Sequence, residues 1–281
     1  MISASVRRPL VLAATALCWA ASTGHAQDVP APAAESPPSP GDTIEGAIGL
    51  LASYGPDYSG AAQSHASASP GFFIRYRRLT ITNASGFVTR RSDDVVRGVG
   101  LDLVRSDRVR LNFALRIDNG RGESASSALA GMGDIKRTVR GRASGTWQLG
   151  DGWRAGASWN LDLLGQGGGH YGDLSFAREQ RISPDAVWNW GGSLAFAGSQ
   201  YLRTYYGVSA EQSARSGYPV YVPGAGLRDA SLFASLRADL SPRWVLLAGI
   251  NGARLLGPAA DSPLTFKTLG WGLNGGLAWR F

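Results

Sequence analysis

The sequence predicts an all-β fold, a transmembrane antiparallel up-and-down barrel of about twelve strands. Three observations predict it. The first 26 residues read as a secretory leader, the rest alternates apolar and polar residues with a period of two, and short and long connections take turns down the chain. The last strand shows the period most clearly. Leu269, Trp271, Leu273, Leu277, Trp279 and Phe281 fall on one face, and Gly270, Gly272, Asn274, Gly276, Ala278 and Arg280 on the other.

In the leader, Arg7 and Arg8 form the positive region, Pro9 to Ala21 is uncharged, and Gly24-His25-Ala26 offers a small-x-small cleavage site. That apolar run is too short to span a bilayer as a helix. Cys18 follows Leu17, where a lipidation signal takes a small residue, so the leader is read as simply removed. Cleavage takes the single cysteine with it, leaving no disulfide, thiol nucleophile or thiolate metal site, and no cofactor is implied. Loss of Arg7 and Arg8 from the 28 Lys+Arg leaves 26 against 21 Asp+Glu, a net charge of +5. This excess suits the phosphates of lipopolysaccharide beside outer-membrane lipid. It does not make a nucleic-acid binder, because no lysine-rich patch accompanies it. Residues 27–43, with Val29-Pro-Ala-Pro-Ala-Ala-Glu-Ser-Pro-Pro-Ser-Pro40, suit a periplasmic tether, and residues 44–281 form the barrel.

The predicted strands are 44–54, 69–77, 79–89, 95–105, 108–118, 136–149, 152–163, 171–182, 187–206, 228–240, 243–254 and 269–281. The fifth sets Val109, Leu111, Phe113, Leu115 and Ile117 against Arg110, Asn112, Ala114 and Arg116. The seventh sets Trp153, Ala155, Ala157, Trp159 and Leu161 against Arg154, Gly156, Ser158, Asn160 and Asp162. The tenth sets Ala230, Leu232, Ala234, Leu236 and Ala238 against Ser231, Phe233, Ser235, Arg237 and Asp239, and the eleventh aligns Trp244, Leu246, Ala248 and Ile250. An arginine facing lipid at the midplane costs about 2–4 kcal/mol, and in these strands the charges keep to the polar face. A helix would scatter the same residues around its wheel. The second, third and eighth strands alternate poorly, which leaves ten strands open.

Tight links fall at Arg77-Arg78, Ser106-Asp107, Gly150-Asp151, Ser183-Pro184-Asp185 and Ser241-Pro242. Long ones fall near 55–68, 89–94, 119–135, 165–170, 207–227 and 255–268. Short periplasmic turns and longer outside loops place both termini in the periplasm of a Gram-negative envelope. An open edge in hydrocarbon would leave backbone groups unpaired, so the last strand is expected to pair with the first.

Three stretches carry a family resemblance: Tyr54-Gly-Pro56-Asp57-Tyr58-Ser-Gly60; Tyr205-Tyr206-Gly207 through Pro223-Gly224-Ala-Gly226-Leu-Arg228-Asp229; and Arg254-Leu-Leu-Gly257 before Asp261-Ser262-Pro263. Together they resemble the MipA/OmpV family of outer-membrane proteins. The resemblance implies a non-enzymatic barrel that acts as a scaffold between murein-synthesising and murein-cleaving enzymes. Its implied partners are a periplasmic lytic transglycosylase and a penicillin-binding protein. Trp279 and Phe281 are then the C-terminal signal for the barrel-assembly machinery. Other members are associated with adhesion or antibiotic susceptibility. Pro258 and the Pro-rich tether depart from the family pattern.

The residues leave two other chemistries to weigh. Hydrolysis needs a base within reach of a serine hydroxyl. His65 and His170 are the histidines left after cleavage, and His170 sits in a glycine-rich stretch near Asp173 and Ser175, a poor platform for a base. Two separated histidines make no metal site. Arg108, Arg110, Arg116, Arg140, Arg142 and Arg154 cluster on the polar faces, with Asp102, Asp118 and Asp162 placed to neutralise some of them. That pattern fits a salt-bridged, filled lumen or a narrow, weakly anion-selective channel for small solutes. Twelve strands fall between barrels filled by side chains and barrels that hold water. Trp147, Trp153, Trp188, Trp190, Trp244, Trp271 and Trp279 suit interface girdles.

Overall fold

The computed structural model describes residues 44–83 and 98–281. The leader and tether readings, and residues 84–97 around the second long connection, lie outside the described residues. Twelve antiparallel strands close into one barrel: β1 (Ile44–Pro56), β2 (Ser64–Tyr76), β3 (Leu79–Thr82), β4 (Gly98–Arg105), β5 (Val109–Asp118), β6 (Thr138–Gly150), β7 (Trp153–Asp162), β8 (His170–Ser183), β9 (Ala186–Ala197), β10 (Gly226–Asp239), β11 (Trp244–Leu255) and β12 (Leu269–Arg280). Each strand pairs with its sequence neighbours. The seam pairs β1 with β12 from Ala47↔Arg280 to Tyr54↔Leu273. Among the described residues closure leaves no edge strand, which a hydrocarbon setting requires.

The outer wall is greasy. Leu50, Phe113, Leu161, Leu174, Leu232, Ile250 and Leu273 all stand exposed, in far greater number than a water-soluble surface carries. Arg178 of β8 is a charged exception. It shares the outer face with its cross-strand partners Trp153 and Trp190, and its guanidinium lies 5.3 Å from the Trp153 ring. The aliphatic stem follows the wall while the head stays at the aromatic level beside a tight turn.

All five tight links form. In the turn between β6 and β7, Asp151 and Gly152 both take positive φ (48° and 77°), the geometry that suits two-residue hairpins. Arg77 also adopts φ 53° in the link between β2 and β3. The start of β1 and the end of β12 lie at this same end, where Gly46 and Phe281 exchange backbone hydrogen bonds of 3.1 and 3.0 Å.

Several predicted bounds move by a residue or two, β3 is described as Leu79–Thr82 of the expected 79–89 with the remainder largely outside the described residues, and two bounds change further. β2 begins at Ser64, so the first long connection shrinks to 57–63. Ser64–Ser69 are all exposed and carry no face pattern, so their pairing with Leu51–Pro56 is a backbone matter that periodicity misses. More consequentially, β9 stops at Ala197 rather than running to Tyr206. Gly198 turns the chain into helix α1 (Ser199–Tyr206), followed by α2 (Ala210–Ser216) and, after β11, the short α3 (Gly257–Ala260). Helix α1 puts Leu202 and Tyr206 on one buried stripe, the i, i+4 spacing of a helix rather than a strand.

Candidate functional site in the barrel lumen

At the end opposite the tight turns, the described connections pack against one another. Helix α1 packs Leu202 and Tyr206 against Tyr171, Ala197, Leu255 and Ala259. A second apolar cluster joins Met132 of the 119–137 connection to Val208 and Leu264. Helix α2 starts with a capping box between Ser209 and Gln212 and ends on left-handed Gly217. Its Arg215 donates to the carbonyl of Gly131, where a Cβ would lie 2.9 Å from the Arg215 backbone. Only a glycine lets these two connections touch so closely.

Below that packing, charged groups knit across the lumen. Arg140 is fully buried: its Nε donates to Asp118 Oδ2 at 2.5 Å, Nη1 to the Gly168 carbonyl at 3.1 Å and Nη2 to the Tyr205 hydroxyl at 3.3 Å. Tyr205 donates on to Asp118 at 3.3 Å. The Arg140 guanidinium also lies 5.2 Å from the Tyr171 ring and 5.6 Å from the Tyr201 ring. Asp162 accepts from Thr138 and from the Gly168 amide, which folds the 163–169 connection inward. Arg228 binds its neighbour Asp229 at 2.5 Å and the Tyr201 hydroxyl at 3.3 Å. Arg116 donates to the Tyr171 hydroxyl at 2.5 Å. Each of these guanidinium groups meets a carboxylate, hydroxyl or aromatic face, which makes its desolvation tolerable.

Arg121 ties the upper connections together. It donates to the Tyr205 carbonyl at 2.9 Å and lies 5.5 Å from the Tyr58 ring. Burial pulls the Arg121 guanidinium below its ordinary range. Burial pushes Tyr58 and Tyr205 each up to about 12, against partial relief from their arginine neighbours. Tyr201 and Tyr206 are raised as well, again chiefly by burial.

The loop motifs singled out in the sequence converge here. Tyr58 donates to the Leu264 carbonyl at 3.1 Å, and the Gly60 carbonyl accepts from Phe266 and Lys267. Ser262 donates to the Tyr206 carbonyl at 2.6 Å, just before Pro263. Gly207 continues α1 through a backbone bond to Arg203, and Gly226 faces the Pro258 ring. Asp57 lies 2.9 Å from His65 Nδ1, next to Pro56 at the end of β1. Pro223 is buried, whereas Gly224 and Asp261 are exposed. Trp279 and Phe281 meet at the other end in a tilted pair, ring centroids 5.6 Å apart.

Between this cap and the tight turns lies a cavity of about 850 Å³. It collects Arg110, Arg116, Arg142, Arg154 and Asp102 of the predicted set. Arg140, Asp118 and Asp162 belong to the cap instead, and Arg108 sits exposed in the turn before β5. His170 stacks on Trp159 at 5.0 Å, on the outer face. Asp173 and Ser175 point into the lumen, where Asp173 accepts from Ser158. Strand alternation thus holds the groups of the hydrolytic reading apart.

A family model described as "MltA-interacting protein MipA" matches residues 48–281. The chain belongs to the MipA family. No curated protein matches it. Among solved structures, this MipA-family barrel is similar to the outer-membrane channel DcaP of Acinetobacter baumannii, at 10% identity and a TM-score of 0.39 over 85% of this chain and 96% of that one. It is also similar to a bacterial polysaccharide outer membrane secretin, at 12% identity and a TM-score of 0.41 over 85% and 98%. OmpT of Vibrio cholerae matches at 8% identity and a TM-score of 0.37 over 85% and 97%. A MipA-family chain folded as a closed barrel with a hydrocarbon outer wall is an outer-membrane protein.

Sequence reasoning missed Tyr171, Tyr201 and Arg121, which hold the cap together. The repeat of Tyr201 with Tyr205 and Leu202 with Tyr206 was the available signal, four residues apart where a strand repeats every two.

Proposed function

We propose that this barrel is a non-enzymatic scaffold that anchors a murein-cleaving enzyme, a lytic transglycosylase, at the outer membrane. A murein-synthesising penicillin-binding protein is the second partner of the same assembly. The observation that carries the reading is the buried knot of Arg140, Asp118 and Tyr205 under α1, which favours an anchor over a conduit. The family's printed description, an MltA-interacting protein, names the kind of partner. In this reading the tight turns and both termini face the periplasm, residues 1–26 are a cleaved leader, and residues 27–43 a tether. The capped end faces outward among lipopolysaccharide, and Trp279 and Phe281 engage the assembly machinery.

The test is retention of purified lytic transglycosylase by the immobilised full-length barrel in neutral detergent. Exchanging the turns at 106–108 and 184–185 for Asn-Gly links is expected to abolish retention. A wild-type barrel that retains no transglycosylase overturns the proposal.

The arginine-lined cavity favours a second reading, a narrow anion-selective channel. Steady anion-selective conductance of the wild-type barrel in planar bilayers, reversed by Arg110→Glu with Arg142→Glu, would establish the channel and remove the closed-scaffold reading.

A further inference from the structure

The cavity is unevenly built. Seven arginines line it against three carboxylates, Asp102, Asp173 and Glu179. Those carboxylates already have partners: Asp102 accepts from Asn112 at 3.1 Å and lies 3.9 Å from Arg105, Asp173 accepts from Ser158, and Glu179 lies 3.6 Å from Arg154. Arg142 of β6 has no hydrogen bond or ion pair among the described residues, and its Nε is buried. The Nε of Arg116 is likewise buried without a partner. A guanidinium removed from water with donors unmet is costly unless an anion completes it.

The facing wall is of another kind. Leu51 of β1, Phe233 of β10 and Leu247 of β11 line the same cavity, and Leu51 and Leu247 continue into the apolar cluster of Ala47, Phe73 and Ala278. One side therefore presents guanidinium planes and the other hydrocarbon. The volume matches sites that enclose a small organic molecule. The cavity reaches Arg105, Arg154 and Glu179 beside the tight turns, and its Arg116 donates to the Tyr171 hydroxyl under the cap, where the Tyr171 ring lies 5.2 Å from the Arg140 guanidinium.

We propose that the lumen is a binding site for a small amphipathic anion, admitted from the tight-turn end. Its carboxylate or phosphate head lies against Arg110, Arg116 and Arg142, and its hydrocarbon body along Leu51, Phe233 and Leu247. The site is independent of the scaffold reading, since it needs no protein partner.

The test is calorimetric titration of the full-length barrel in phosphatidylcholine nanodiscs, with empty nanodiscs as the blank. The probes are octanoate, octyl phosphate, octanol and acetate. Octanoate or octyl phosphate is expected to bind saturably at one site per barrel, octanol and acetate at least about tenfold more weakly. A preference between the two anions assigns the head as carboxylate or phosphate. The double variant Arg110→Gln with Arg142→Gln is expected to weaken anion binding about tenfold or more while keeping the gel mobility of a folded barrel. Phe233→Ser is expected to lower octanoate affinity and leave acetate unchanged. No saturable binding to the wild type, unchanged affinity in the double variant, or acetate binding as tightly as octanoate overturns the proposal. Transglycosylase retention measured on the same variants reports on the scaffold separately.

Discussion

Arg140 gathers three hydrogen bonds and two aromatic contacts in the lumen. It is buried, and Asp118, Tyr205 and the Gly168 carbonyl take its donors. Removing one partner of such a pair strands the other charge, at a typical cost of about 3–5 kcal/mol. Arg140→Met is therefore expected to lower the heat or urea midpoint of the folded gel band by that order. The double change Arg140→Met with Asp118→Leu should recover much of the loss, because no bare carboxylate remains. A double variant no better than the single would show that the ion pair is not what holds the cap. On the outer wall Leu232 sits near the middle of β10 with 72% of its surface exposed. Leu232→Arg is expected to cost about 2–4 kcal/mol in bilayer refolding, and almost nothing if that wall met water.

At the scale of elements, α1 anchors the cap, packing on Tyr171, Ala197, Leu255 and Ala259. Leu202 is fully buried there, and Leu202→Ala is expected to cost about 2–5 kcal/mol of cap stability. Hydrogen exchange over Ser199–Tyr206 should speed accordingly while the strands stay protected. Strands and helix were unequally legible in the sequence. A wall with lipid on one side and side chains on the other imposes alternation, so β5, β7, β10, β11 and β12 could be read from period alone. Tight turns were legible because Asp151-Gly152 and Ser183-Pro184-Asp185 carry their own backbone requirements. The cap was not, because its contacts join residues far apart. Arg140 meets Tyr205 across 65 positions, and Arg121 meets the same residue's carbonyl across 84. No local period reports such pairings. The change from a two-residue to a four-residue repeat falls at Gly198, which carries no local strand-breaking signal of its own. The arginine cluster was found as a set, but its division between the cap (Arg140) and the cavity (Arg110, Arg142) depends on loops whose paths composition does not specify.

The whole molecule couples a rigid cylinder to a packed cap with different vulnerabilities. Tyr58 and Tyr205, held neutral by burial, ionise in the folded cap near pH 12 rather than at their ordinary value of 10. A group with a raised folded pKa contributes its full stability below the unfolded value and loses it as pH climbs through the folded one. The cap is thus expected to hold up to about pH 10 and to loosen between there and about pH 12, with the barrel intact. Tyrosinate absorbance and bilayer conductance should rise together over that window. Absorbance rising with no change in conductance would separate the tyrosines from the closure of the lumen.

The seam that turns a curled ribbon into a cylinder joins Ala47 to Arg280, almost the full described length apart. Loop closure on that span is entropically slow, so the ribbon must wait with two bare margins until its latest strand arrives. A slip of one position as it zips shut would swing Leu277 and Trp279 inward and push Ala278 and Arg280 toward acyl chains. The alternation along β12 therefore acts as a vernier, admitting one alignment of the earliest and latest strands and rejecting its neighbours.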